Sequence, residues 1–97
     1  MATNPEIPTK LIMAVVPGDL ASVALDAFLH AGCRVTRIAS TGGFLHIGST
    51  TLLAGVEAAR LEPALAAVRE ACHAAAKPEE RGKVLVFVLD VTQSERL

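Results

Sequence analysis

Side chains able to do acid–base, nucleophilic or metal chemistry are few in this 97-residue chain, and they are scattered. His30, His46 and His73 are dispersed, and each reads as a surface residue rather than a metal ligand. No Ser/His/Asp or Cys/His set has a spacing that would serve nucleophilic catalysis. Cys33 and Cys72 make no C-x-x-C pair, and a zinc site needs about four close ligands, so both read as small buried apolar residues. Asp90 is the best lone carboxylate, and it reads equally well as a solvated turn residue. An enzyme is therefore not the expected class. What stands out instead is the stretch Ser40 to Val56, STGGFLHIGSTTLLAGV. The pair Gly42-Gly43 can take the positive φ of a turn, and it also lets backbone N–H groups approach a bound group closely. A large apolar Phe44 directly after it either plugs an interface or contacts a ligand. The pattern alone leaves both open.

The elements that must position this stretch follow from hydrophobic periodicity. Lys10 to Val16 (KLIMAVV) reads as a strand closed by Pro17-Gly18. Asp19 is placed to cap a helix carrying Leu20, Ala24, Ala27, Phe28 and Ala31 on one side, with Gly32 at its C-cap. Arg34 to Ser40 alternates, with Val35 and Arg37 on one face and Arg34, Thr36 and Ile38 on the other. Thr41 to Ser49 is a loop, and Thr50 to Val56 a third strand. Leu61, Leu65, Val68 and Cys72 form one apolar stripe of a second helix, with Pro63 tolerated in its first turn. Lys77 to Lys83 is a charged turn, and Val84 to Val91 a last strand. The order β-α-β-β-α-β predicts an α+β fold of the ferredoxin-like kind, with both helices on one sheet face.

Composition adds an expectation about assembly. The chain is 52% hydrophobic and 20% charged, with a net charge of only −1, so nothing marks it for nucleic acid or an anionic membrane. A domain this small has little interior. Leu11 to Val16 and Val84 to Leu89 are apolar at odd and even positions alike, whereas a strand with one solvated face should alternate. The open sheet face is therefore expected to be buried by further copies in a closed cyclic homo-oligomer. Residues 1–9 read as a flexible N-terminal arm, residues 10–92 as the single domain, and residues 93–97 as a polar tail. The start MATNPEIPTK has no basic-then-apolar signal pattern, and no apolar run approaches a membrane span of ~20 residues. A cytoplasmic, soluble protein is expected.

In register, Arg34-Val35-Thr36-Arg37-Ile38-Ala39-Ser40-Thr41-Gly42-Gly43-Phe44-Leu45 and Gly48-Ser49-Thr50-Thr51-Leu52-Leu53-Ala54-Gly55-Val56 resemble the PII-like cyclic-di-AMP receptor proteins. KLIMAVV is similar to that family's first strand. The resemblance implies a PII-like homotrimer with a cyclic-di-AMP site in each cleft between neighbouring subunits. It also implies signal transduction by relaying occupancy to a protein target, without a further cofactor or metal. Carried over, the ligand-binding candidates are Arg34, Val35 and Thr36 on the strand, Gly43, Phe44 and Leu45 in the loop, then Ser49, Gly55 and Phe87. In such a site Phe44 offers a face for adenine, Thr36 a hydroxyl, and Arg34 a phosphate contact.

The chain departs from that family at three places. The receptors usually carry asparagine where Ser49 and Gly32 stand here, and a longer loop before the last strand. The short replacement, Arg81-Gly82-Lys83-Val84 followed by Phe87-Val88-Leu89-Asp90-Val91, is instead similar to authentic PII signalling proteins. That likeness implies ATP, ADP or AMP as the alternative ligand, with Lys83 and Arg96 as phosphate contacts. A structural trimer without nucleotide, like the ferredoxin-like copper-tolerance trimers, is the remaining alternative.

Overall fold

A computed structural model of the chain describes residues 9–38 and 48–93. Strand β1 (Lys10–Pro17) is followed by helix α1 (Ala21–His30), strands β2 (Arg34–Ile38) and β3 (Ser49–Val56), helix α2 (Leu61–Ala75) and strand β4 (Leu85–Asp90). Single 3-10 turns at Gly18–Leu20, Ala58–Arg60 and Pro78–Glu80 lead into α1, α2 and the last connection. The four strands form one antiparallel sheet in the order β2-β3-β1-β4. This is the expected ferredoxin-like arrangement. Residues 1–8 of the expected arm and residues 94–97 of the tail lie outside the described residues. Thr9 is tied down, since its N–H donates to the Val56 carbonyl at 3.1 Å and its own carbonyl accepts from Val91 N–H at 3.1 Å.

The register sorts the sheet's side chains onto two faces. On the helix side Ile12 pairs with Ala54 and Ala14 with Leu52, and all four are fully buried. They pack against Leu20, Ala21, Ala24 and Phe28 of the first helical segment and Ala64, Val68 and Cys72 of α2. The α2 stripe is thus rotated from its expected line. Ala64 joins Val68 and Cys72 in full burial, while Leu61 and Leu65 are only partly buried at its margin.

The end of α1 forms as the sequence suggests. Gly32 takes φ +84°, its N–H donates to Leu29 at 3.1 Å, and Cys33 N–H donates to Phe28 at 3.0 Å. These are the two bonds of a Schellman ending, with Cys33 and Phe28 both in the core beneath it. A Cβ at Gly32 would also come within 2.7 Å of the Arg60 Nη1. Gly32→Ala is expected to cost about 1 kcal/mol, read as a lower midpoint in denaturant melts, with Gly32→Asn costing less because asparagine tolerates the left-handed region. The start of α1 differs from expectation. Asp19 makes no cap bond, because it falls within the 3-10 turn rather than ahead of the helix. Its carboxylate lies 3.5 Å from the Lys77 ammonium, linking that turn to the connection before β4.

Strand β4 departs most from the simple two-layer picture. Its helix-side valines, Val86 and Val88, pair with the buried Ala14 and Ile12, yet they are 42% and 43% exposed. The alanine-rich α2 does not reach over this edge. On the other face Leu85, Phe87 and Leu89 are 53%, 52% and 46% exposed. The expectation that the two helices cover a whole sheet face therefore holds for β1 and β3 but not for β4.

Candidate functional site

The candidate residues of β2 sit where the alternation places them. Arg34, Thr36 and Ile38 lie on the helix-free face, opposite Gly55, Leu53 and Thr51 of β3. Both Arg34 and Thr36 are exposed, as an anion or a hydroxyl-seeking ligand would require. Val35 points the other way and packs against the core, so only its backbone is available to a ligand. Ser49 opens β3 opposite Pro17, and Gly55 lies between Arg34 and Leu11 in one cross-sheet row. A missing side chain at Gly55 leaves open backbone beside Arg34. Gly43, Phe44, Leu45 and Arg96 lie outside the described residues, as does His46.

One end of the sheet gathers the connections. The C-terminal ends of β1 and β2 and the N-terminal ends of β3 and β4 lie together there, since Val15 pairs with both Thr51 and Leu85, and Ile38 with Thr51. At this end the Gly18 N–H donates to the Gly48 carbonyl, and a Cβ at Gly18 would sit 2.7 Å from that oxygen. The glycine is required because no side chain fits the approach. Gly48 itself has φ +88°. The position after residues 39–47 is thereby anchored to the turn that follows β1. Sequence reasoning took Pro17-Gly18 as plain punctuation and missed this contact, which has no periodic signal.

Charge supports an anion at the β2 edge. Within its five residues β2 carries Arg34 and Arg37 and no carboxylate, and the helix-free face of β3 has none either. Lys83 is exposed, following Gly82 at φ +78°, but it precedes β4 at the connection end of the sheet, near the Ile38 row and away from Arg34 and Gly55. Phe87 lies elsewhere. It pairs with Met13, which pairs with Leu53, which pairs with Thr36. Three inter-strand spacings, about 14 Å, thus separate Phe87 from Thr36 within one chain. The structure brings Arg34, Thr36 and Gly55 together and leaves Phe87 on the opposite edge.

The cysteines take no part in this. Both are free and buried. Burial pushes the Cys33 thiol up, with the Arg60 guanidinium opposing it, and burial alone pushes Cys72 up. Neither is a ready nucleophile at neutral pH. Among the described residues no group of three histidine, cysteine or carboxylate side chains could hold a metal ion. Among the same residues no helix is long and apolar enough to cross a membrane.

Comparisons with known proteins identify the family and the fold. A functionally unknown protein from Pediococcus pentosaceus is similar, with 34% identity and a TM-score of 0.70 over 94% of this chain and 99% of that one. CPII, a nitrogen regulatory PII-like protein from Thiomonas intermedia solved with ADP, AMP and bicarbonate, superposes with a TM-score of 0.67 at 19% identity, covering 93% and 97% of the two chains. A PII-like signalling protein from Thermus thermophilus gives 0.64 at 18% identity, over 88% of this chain and 87% of the other. These last two share the fold. The family model for cyclic-di-AMP receptors matches residues 9–85, spanning β1 to β3, both helices and the whole Arg34 to Val56 register and ending at the first residue of β4. The chain belongs to the cyclic-di-AMP receptor family and has its PII-like, ferredoxin-like fold.

Proposed function

We propose that this receptor binds cyclic-di-AMP in clefts between the subunits of a homotrimer and relays occupancy to a protein target. The observation that carries the reading is the β2–β3 edge, where exposed Arg34 and Thr36 and half-buried Gly55 share an acid-free face within the family match. There Arg34 holds a phosphate, Thr36 hydrogen-bonds, and the open backbone at Gly55 admits the ligand closely. The action is binding and transmission rather than turnover of the nucleotide. A ligand can shift the state of the protein only as far as its affinity differs between states, so the target must favour one of them.

Lys83 and the likeness of residues 81–91 to PII proteins support a second reading, in which ATP, ADP or AMP is the ligand and Arg96 adds a phosphate contact. Relatedness to CPII, which was solved with ADP and AMP, supports it at the level of the fold. Titration calorimetry of the protein with cyclic-di-AMP, ATP and AMP separates the two. Cyclic-di-AMP is expected to bind, and Phe44→Ala to weaken it by about 5- to 150-fold, the loss of one adenine stack of ~1–3 kcal/mol. Binding of ATP or AMP alone selects the second reading, and no heat with any nucleotide leaves the structural trimer.

A further inference from the structure

A second arginine stands at the end of the sheet where Arg34 opens β2. Strand β3 ends there at Val56, and the 3-10 turn Ala58–Arg60 brings Arg60 back toward the end of α1. A Cβ on Gly32, two residues before Arg34, would meet Arg60 Nη1 at 2.7 Å. The guanidinium therefore fills the space that a side chain at position 32 would take. Its charge also reaches the next residue, since it opposes the upward push of burial on the Cys33 thiol. Arg60 is exposed, and among the described residues its guanidinium makes no ion pair or hydrogen bond. Glu57 and Glu62, the acids nearest to it in sequence, are exposed and neither pairs with it. Its five N–H donors, set in a planar fork that suits phosphate, thus have no partner among those residues.

We infer that Arg60 is a second anion contact of the ligand site, forming with Arg34 of the same chain a two-cation clamp for a ligand that bears two phosphate groups. This rests on the receptor reading above and adds a residue to its site. The Cα atoms of Gly32 and Arg34 lie within ~7 Å of each other along the chain, so one small ligand can reach both cations. Nothing acidic stands between them, since residues 31–38 and 48–56 contain no carboxylate. Glycine at 32 and at 55, the latter paired with Arg34, leaves backbone rather than side chain beside each cation. A cyclic dinucleotide carries two separate phosphodiesters, each with one negative charge, and two separate guanidinium groups match that pattern. Lys83, at the connection end of the sheet, is not placed to share this role. The departure at Gly32, where the receptors usually carry asparagine, also finds a physical reason. An asparagine side chain and this placement of Arg60 compete for one space.

Calorimetry with cyclic-di-AMP tests the clamp. Arg60→Ala is expected to weaken binding about 10-fold or more, as the loss of a charge-assisted hydrogen bond does. Arg60→Lys should keep part of the affinity, because an ammonium retains the charge but not the fork. Between about 0.05 and 0.5 M NaCl the wild-type affinity should fall more steeply than that of Arg60→Ala, since salt screens an exposed contact. Gly32→Ala gives a second route to the same result. Its methyl group displaces the guanidinium without removing it, so it should weaken binding in the wild-type background and add nothing in the Arg60→Ala background. Wild-type affinity in Arg60→Ala would overturn the inference and spare the receptor reading. So would a loss that comes with a lower melting temperature and an unchanged salt slope, which assigns Arg60 to the end of α1, where a cation suits the helix dipole. Equal weakening by Gly32→Ala in both backgrounds would overturn it as well. No heat from the wild-type protein with cyclic-di-AMP would sink the receptor reading and the clamp together.

Discussion

Phe28→Ala is expected to lower the melting temperature by roughly 15–30 °C, read by circular dichroism at one fixed protein concentration. Phe28 is fully buried and heads the largest side chains of the core. It also occupies the turn of α1 whose carbonyl accepts Cys33 N–H at 3.0 Å. Truncation therefore opens a cavity beneath the Schellman ending and loosens the start of β2. Removing a buried phenylalanine costs about 3–5 kcal/mol, and in a domain of this size each kcal/mol moves the midpoint by about 4–8 °C. A stability of roughly 5–10 kcal/mol leaves little margin. The neighbouring core is alanine-rich, with Ala21, Ala24 and Ala64 all fully buried, so few long side chains can swing in to fill the space. A shift below about 5 °C would show that the ring is not what holds α1 to the sheet.

The same packing explains how far the sequence could be read. Strand β1 and helix α2 were legible because long apolar periodicities leave few alternatives, and their ends fall within a residue or two of expectation. The alternation of β2 also reads correctly, down to Arg34, Thr36 and Ile38 sharing the exposed face. Asp19 shows the limit of local chemistry. A carboxylate two residues after proline is a good cap only if the helix starts directly behind it, and the 3-10 turn displaced that start. The α2 stripe shows a different limit. Leucines mark a face by hydrophobicity, but the fully buried line of α2 runs through Ala64, Val68 and Cys72, with Leu61 and Leu65 at its margin. For the site, sequence order hides distance. Phe87 and Thr36 appear as members of one candidate set, yet the strand order β2-β3-β1-β4 puts them on opposite edges. The continuous apolar run of β4 did signal an uncovered surface, though not that its helix side would be bare as well.

That bare strand carries the second large effect. The double variant Leu85→Lys/Leu89→Lys is expected to convert the assembly to single folded chains of 10.1 kDa by light scattering, with an unchanged far-ultraviolet spectrum. In one chain both leucines are about half exposed, so lysine there keeps its ammonium in water and leaves the fold intact. Lysine on an open strand is moreover the device by which proteins keep edges apart. In the homotrimer proposed above the same positions are covered. Each unpaired ammonium then costs several kcal/mol of desolvation, repeated at every seam of the ring, while the apolar contact of each leucine is lost. Glu62→Lys on the exposed start of α2 changes charge in the same direction away from the sheet and is expected to keep the wild-type mass. If the double variant also keeps that mass, β4 is not at the interface. If it becomes monomeric, nucleotide binding should fall with it on the proposed reading, in which the ligand lies between subunits.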